Sequence, residues 1–294
     1  MDGNRQLAEL RELIVGAVGH ESAIDGLLLS VVEAPTPPTA GLASPTFALV
    51  AQGRKRLALG EQVFEYGAGD YVIVSVDLPV TGHFVEASKD APCLGVGLEL
   101  RPEQIASLLL DATEKPGAAV RGLTIDHAPA ELVDAMIRLL RLVHQPDDAP
   151  VLAPLVQREI LWRLLRSPQG AAVREIGLAD SSLSHVARVI GWIRKHYTEP
   201  FRIEDLASMA GMSTSAFHRH FRTVTELTPI QFQKKIRLHE ARLRVVGLGE
   251  DVTSAGYAVG YDSPSQFSRE YRREFGTPPS RDRAGSCKPA GQLV

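Results

Sequence analysis

Two stretches of the chain, 50 residues apart, carry side chains of the same kind in the same order: Phe217, Arg219, Phe221, Arg222 and Pro229 in the first, Phe267, Arg269, Tyr271, Arg272 and Pro279 in the second. On a helix, Phe217 and Phe221 stand at i, i+4 and share one face, which leaves Ser215, His218, Arg219 and Arg222 on the other. In the second copy Phe267 and Tyr271 turn inward and leave Ser265, Gln266, Arg269 and Arg272 outward. An arginine fork is the commonest reader of guanine O6 and N7, glutamine pairs with adenine, and small hydroxyls near a helix start permit close approach to a groove. The pattern therefore assigns Ser215, His218, Arg219, Ser265, Gln266 and Arg269 to base edges, and Arg222 and Arg272, farther along, to phosphates. One isolated arginine is more often merely solvated; two matched pairs are harder to dismiss. His218 and His220 stand at i, i+2, point apart and cannot share a metal.

These side chains need helices held at a fixed angle. In the first copy Glu204–Ala210 reads as a short helix with Leu206, Ala207 and Ala210 facing inward. Gly211 is a turn residue free to take positive φ, Ser213 caps the next helix, and Phe217 plugs the crossing at Ala207. That is a helix-turn-helix. Gly256, Gly260 and Phe267 repeat it, with one extra residue in the turn and Asp262 as the expected cap. Between the copies Thr228 caps, Pro229 takes the first helical position, and Gln231–Val245 reads as a long linker helix. Phe232, Ile236 and Leu243 mark its buried stripe, and Lys234, Lys235, Arg237, Arg242 and Arg244 give it a basic exterior. A stiff linker that set the two helices about 34 Å apart would let one chain read successive major grooves.

The charge balance divides in the same place. The 294 residues carry a net of only −3. Residues 1–180 hold 15 basic and 24 acidic side chains, a net of −9, and residues 181–294 hold 17 and 11, a net of +6. The back half is the one suited to an anionic partner. Hydrophobic residues at 44 % and charged at 23 % exclude a disordered or fibrous chain. No apolar run is long enough to span a bilayer, and Met1–Arg5 lacks a signal-peptide pattern. Two distant cysteines fit no metal or disulfide spacing, so the cytoplasm is expected.

The front half has a different texture. Ala34–Thr39 and Pro45 read as loop because of their prolines. Short runs follow at Thr46–Gln52, Arg54–Leu59, Gln62–Tyr66, Tyr71–Val76, His83–Ala87 and Cys93–Leu100, punctuated by glycines, as in a small β-barrel or sandwich. Gln104–Ala112, Ala130–His144 and Leu155–Arg166 carry helical periodicity, and the last two form a hairpin whose stripe serves as core or as a dimer contact. The expected organisation is an effector-sensing and dimerisation domain over 1–170, a linker over 171–183, a DNA-binding domain over 184–284 and a disordered tail over 285–294.

Residues 185–283 resemble the DNA-binding domain of the AraC/XylS family of transcriptional regulators. The resemblance is carried by Ile203–Ala207, Met212-Ser213, Phe217–Phe221, Thr228-Pro229, Arg237-Leu238, Glu240–Arg242, Val259–Tyr261, Ser265–Arg269 and Phe275–Pro279. Arg281-Asp282-Arg283 stands where the family has an aromatic residue. Val50–Lys55, Tyr66–Tyr71 and Ser75–Val80 are similar to the cupin-like N-terminal domain of AraC-type regulators. The resemblance implies an α+β chain: a cupin-like β-barrel with a helical hairpin, then an all-α domain of two helix-turn-helix subdomains joined by a linker helix. It matches the same six side chains to base-facing positions. The expected partners are double-stranded DNA, a small-molecule effector held by the barrel and a second copy of the chain, with RNA polymerase as a candidate and no membrane. No cofactor, metal or catalysis is expected, since His83 is the only histidine between Thr46 and Leu100. A cupin-type enzyme fused to a DNA-binding module is the competing reading. Cys93, in an apolar strand, reads as a small buried hydrophobe, with electrophile sensing as its sharper alternative.

Overall fold

In a computed structural model of the chain, which describes residues 3–19, 24–110, 120–179 and 181–282, the front half is built on two antiparallel sheets. One sheet runs β1 (Leu27–Val32), β8 (Cys93–Glu99), β3 (Thr46–Gln52), β6 (Asp70–Val74), β9 (Leu123–His127). The other runs β2 (Thr39–Ala43), β7 (Leu78–Glu86), β4 (Arg54–Leu59), β5 (Gln62–Gly67). The six expected strands are present, with boundaries shifted by up to five residues at β7. Three more, β1, β2 and β9, were not legible. β2 lies beside the prolines, where pairing with β7 in register Thr39↔Gly82 to Ala43↔Leu78 outweighs local turn composition.

Helices close the barrel on one side. α1 (Gly3–Ala17) buries Leu10 and Ile14 against α3 (Ala130–Arg141), which hairpins into α4 (Ala149–Leu165). α2 (Pro102–Leu109) packs on α5 (Gly170–Gly177), which occupies much of the expected linker. The reason lies in its sequence: Ala172, Val173 and Ile176 are buried apolar side chains, and Gly177 lies so close to Ile105 that a Cβ there would sit 2.7 Å from its side chain. The connection left between α5 and α6 (Ser182–Lys195) is short. The expected disordered tail lies outside the described residues.

The back half continues with α7 (Ile203–Met209), α8 (Thr214–Thr225), α9 (Pro229–Arg242), α10 (Val252–Ala258) and α11 (Pro264–Phe275). Its cores are unequal. Phe217, Phe221 and Phe232 join one apolar cluster that runs through the barrel and α3–α6. Leu238, Ala241, Val259, Tyr261, Phe267 and Tyr271 form a second. The first helix-turn-helix is thus continuous with the front half, and the second has a core of its own.

Candidate nucleic-acid interface

Each outward helix is positioned by the residues that repeat. Gly211 has φ +66° and Gly260 φ +87°, so both turns need the left-handed conformation that glycine adopts without penalty. Ser213 Oγ accepts from the Ala216 N–H at 3.3 Å and starts α8. In the second copy the cap is Ser263, whose Oγ accepts from the Gln266 N–H at 3.3 Å, not Asp262. Pro264 at the first helical position needs no partner for its nitrogen and fixes the helix start one residue later than expected.

The inward faces are aromatic. Phe217 and Phe221 have ring centroids 5.5 Å apart, and Phe221 meets Phe232 of α9 edge-on at 5.6 Å. Phe267 and Tyr271 repeat the first contact at 5.5 Å. All five side chains are fully buried, and burying each contributes roughly 1.5–3 kcal/mol. Gly256 lies against Phe267, where a Cβ would approach the ring to 2.9 Å, so the two helices cross at a residue that must stay small.

Fixing those faces inward turns the others out. Ser215, His218, Arg219 and Arg222 on α8 are exposed, as are Ser265, Arg269 and Arg272 on α11. Arg273 extends the exposed basic end of α11, which the repeat did not single out. Gln266 differs from the other seven. It is half-buried, and its Nε2 donates to Glu270 Oε1 at 3.1 Å, on a carboxylate that also takes Lys234 Nζ at 2.8 Å and the Tyr261 hydroxyl at 2.9 Å. Before any ligand arrives, Gln266 belongs to an internal network.

The linker helix departs from its expected surface. α9 ends in a π-turn over Leu243–Gly247, which widens the helix and rotates Leu243 out to 52 % exposure. Leu238, Ala241 and Val246 are buried in its place. The expected basic exterior is engaged within the protein. Lys234 reaches Glu270 and Lys235 reaches Glu274. Arg237 donates to the carbonyls of Tyr197 at 2.6 Å, Gly260 at 2.7 Å and Thr198 at 3.1 Å. Arg242 pairs with Asp282 at 2.9 Å, and Arg244 lies near Glu240 and Glu250. Lys234, Lys235 and Arg242 tie the linker helix to α11 and Asp282, and Arg237 joins it to Gly260 and to the segment that follows α6. Burial pushes the Glu274 carboxyl up, but the Lys235 ammonium that donates to it and the His239 ring 3.9 Å away outweigh that and hold the group at about 2. Asp282, in the segment where the family has an aromatic, also accepts from the Tyr271 hydroxyl at 2.9 Å, so a carboxylate anchors the end of the domain.

The space bounded by Ser30, Tyr66, Phe84 and Cys93 has a volume of about 20 Å³, enough for a water-sized molecule. Cys93 is buried, and burial pushes its thiol up to about 11. That keeps the sulfur protonated and poorly nucleophilic, in line with a small buried hydrophobe. A larger cleft of about 530 Å³ lies between the β6–β7 connection and helices α2, α5 and α6. Among the described residues no helix is long and apolar enough to cross a membrane.

Residues 23–172 match the family described as AraC-type transcriptional regulator N-terminus, and residues 206–285 match a helix-turn-helix domain. The chain is 28 % identical over 177 residues to the HTH-type transcriptional regulator ExsA of Pseudomonas aeruginosa, covering 60 % of this chain and 63 % of ExsA, just under two thirds of its length. It is 24 % identical over 239 residues to the transcriptional activator RhaS of Escherichia coli, covering 76 % of this chain and 84 % of RhaS. Among solved structures, ToxT of Vibrio cholerae bound to an unsaturated fatty acid is similar with a TM-score of 0.55 and 10 % identity, over 88 % of this chain and 95 % of ToxT. That last likeness is one of fold.

Proposed function

The chain belongs to the AraC-type transcriptional regulators, and on that premise we propose that α8 and α11 read two successive major grooves of one operator while the front half answers to a small-molecule effector. Ser215, His218, Arg219, Ser265, Gln266 and Arg269 are the base-reading residues in this reading, and Arg222 and Arg272 hold phosphates. The observation that carries it is the pair Arg219 and Arg269, exposed at matched positions of two capped helices whose inward faces are fixed by buried aromatics. Gln266 must exchange Glu270 for a base, so its contribution depends on the DNA sequence offered.

Residues 1–170 serve sensing and dimerisation and residues 184–284 serve DNA binding, with α5 packed on the sensing side. The chain works by binding and catalyses no reaction. The buried titratable side chains on the barrel strands include Lys55, Tyr66, Tyr71 and Cys93. ToxT, with the same fold, takes a fatty acid, which supports a small molecule as the signal. A second copy of the chain docks on α4, where Val151, Leu155 and Trp162 form an exposed apolar stripe. RNA polymerase is a further partner, and the site of action is the cytoplasm.

The test is binding of the full chain to its own upstream DNA, measured by fluorescence anisotropy at two salt concentrations. Each lost arginine–guanine fork costs about 1–3 kcal/mol. Arg219→Ala with Arg269→Ala should therefore weaken specific binding by about 30-fold to 10⁴-fold and leave residual non-specific binding. A double variant that bound the target as tightly as the parent would remove the base-reading assignment.

A further inference from the structure

The cleft of about 530 Å³ is walled by both halves of the molecule. Val76 and the β6–β7 connection form one side, Pro102 of α2 and Ile176 of α5 another, and Leu183 of α6 the third. Its volume is in the range of about 300–1,000 Å³ typical of small-molecule sites. Its lining is mostly apolar, with charge confined to a few positions. Asp77 is already ion-paired with Arg194, and Glu103 is exposed to solvent. Arg188 of α6 is the one basic side chain in the lining. It is exposed, has no ion-pair partner among the described residues, and makes one long contact, from Nη1 to the Met209 carbonyl at 3.5 Å.

Three contacts run from this cleft into the first helix-turn-helix or the helix beside it. Arg188 touches Met209, the last residue of α7, two residues before the Gly211 turn. Asp77 holds Arg194 near the end of α6. The Ser75 N–H donates to the Gly122 carbonyl at 2.9 Å, and the Gly122 N–H donates to the Val224 carbonyl at 3.0 Å, near the end of α8. A molecule filling the cleft would press on all three.

We propose that this cleft, beside the barrel and not inside it, is the effector site, and that its ligand is a compact apolar molecule bearing one anionic group that Arg188 binds. The inference rests on the reading of the chain as an effector-controlled regulator. A carboxylate or sulfonate offers the guanidinium a charge-assisted pair that a carbonyl at 3.5 Å does not match. Moving Arg188 to the ligand releases Met209 and changes how α8 is presented. The ligand shifts DNA affinity to the extent that it binds the two arrangements differently.

The probe is 1-anilinonaphthalene-8-sulfonate, an apolar anion, added to the full chain and followed by its fluorescence. Saturable binding is expected. It should be lost in Ala187→Trp, which fills the cleft from α6, and in Ala106→Phe, which fills it from α2. Circular dichroism and DNA binding identify whichever variant folds as the parent does. Arg188→Gln should weaken binding about tenfold, the usual loss for one charge-assisted hydrogen bond. Decanoate should displace the probe, and decylamine should not. Binding untouched by both filling variants, or displacement by the amine as readily as by the acid, overturns the site. DNA anisotropy with saturating decanoate tests the coupling. An unchanged DNA affinity in a chain that passes the fluorescence tests overturns the effector role of the cleft and leaves the regulator reading standing. Failure of the parent to bind its DNA specifically would instead strike that reading, and the fluorescence would still judge the site.

Discussion

Lys55 shows how far alternation along a strand reaches and where it becomes costly. In β4 the side chains of Lys55, Leu57 and Leu59 share the buried face, so the ammonium is carried inward by the register of its apolar neighbours. It lies 4.9 Å from the centroid of the Phe84 ring, which offsets part of the desolvation. Burial pushes its titration down to about 8 from 10.5, with a small opposing pull from Cys93. The unfolded chain therefore binds the proton more tightly between those values, and stability should rise as pH climbs from about 8 to 10.5. At pH 7 the buried charge costs roughly 3 kcal/mol on the same scale. Lys55→Met should raise stability at pH 7 by a large part of that and flatten the rise above pH 8, as read from urea unfolding at pH 7, 8, 9 and 10. A variant less stable than the parent at pH 7 would show that the amine is a net stabiliser. The alternation needed to place Lys55 inside was present in the sequence. What concealed it was its setting between Arg54 and Arg56, which made three cations look like one solvated run.

At the scale of elements, the recognition helices were legible and the surfaces around them were less so. Phe217, Phe221, Phe267 and Tyr271 pointed inward as their spacing required, because helical periodicity follows from backbone geometry alone. The linker helix misled on both of its faces. A π-turn rotated Leu243 outward, and no local residue pattern announces one. Its cations found carboxylates on α11 and beyond that are distant in sequence, such as Glu270, Glu274 and Asp282. The expected stripe of the second hairpin helix is core, and α4 carries a second apolar face that the stripe did not include. Ile160, Leu161, Leu164 and Leu165 of α4 are core, while Val151 and Leu155 remain 67 % and 62 % exposed. Those two, one helical turn apart and aligned with Trp162, form the face proposed for the second copy. Val151→Glu with Leu155→Glu places two carboxylates on that face without touching a buried position. Sedimentation velocity at micromolar concentration should then show a monomer where the parent is a dimer, with unchanged circular dichroism. A parent that already sediments as a monomer, or a variant that stays a dimer, would end the assignment.

For the molecule as a whole, the sign change in charge located the two halves but could not show how they meet. The net of +6 is not free charge, since the cations of α9 are engaged within the protein. Arg219 and Arg222 of α8 and Arg269, Arg272 and Arg273 of α11 remain exposed. The halves meet through a shared apolar core and through close backbone approaches, and the latter leave no side-chain pattern to read. Gly122 donates its N–H to the Val224 carbonyl at 3.0 Å, so closely that a Cβ on Gly122 would lie 2.3 Å from that oxygen. Gly60 makes a similar approach to Glu226. Since Phe217 and Phe221 share the core that runs through the barrel, the first helix-turn-helix should open together with this joint and the second should not. Gly122→Ala tests that order. The added methyl must push Val224 away, so amide exchange should accelerate over the segments around 120–124 and 222–228. Protection in β3 and β8, and in α11 with its separate core, should stay as in the parent. Faster exchange throughout would mean that the chain unfolds as one unit and that the second core has no independence. Unchanged exchange around 222–228 in a folded variant would mean that the joint does not hold α8 at all.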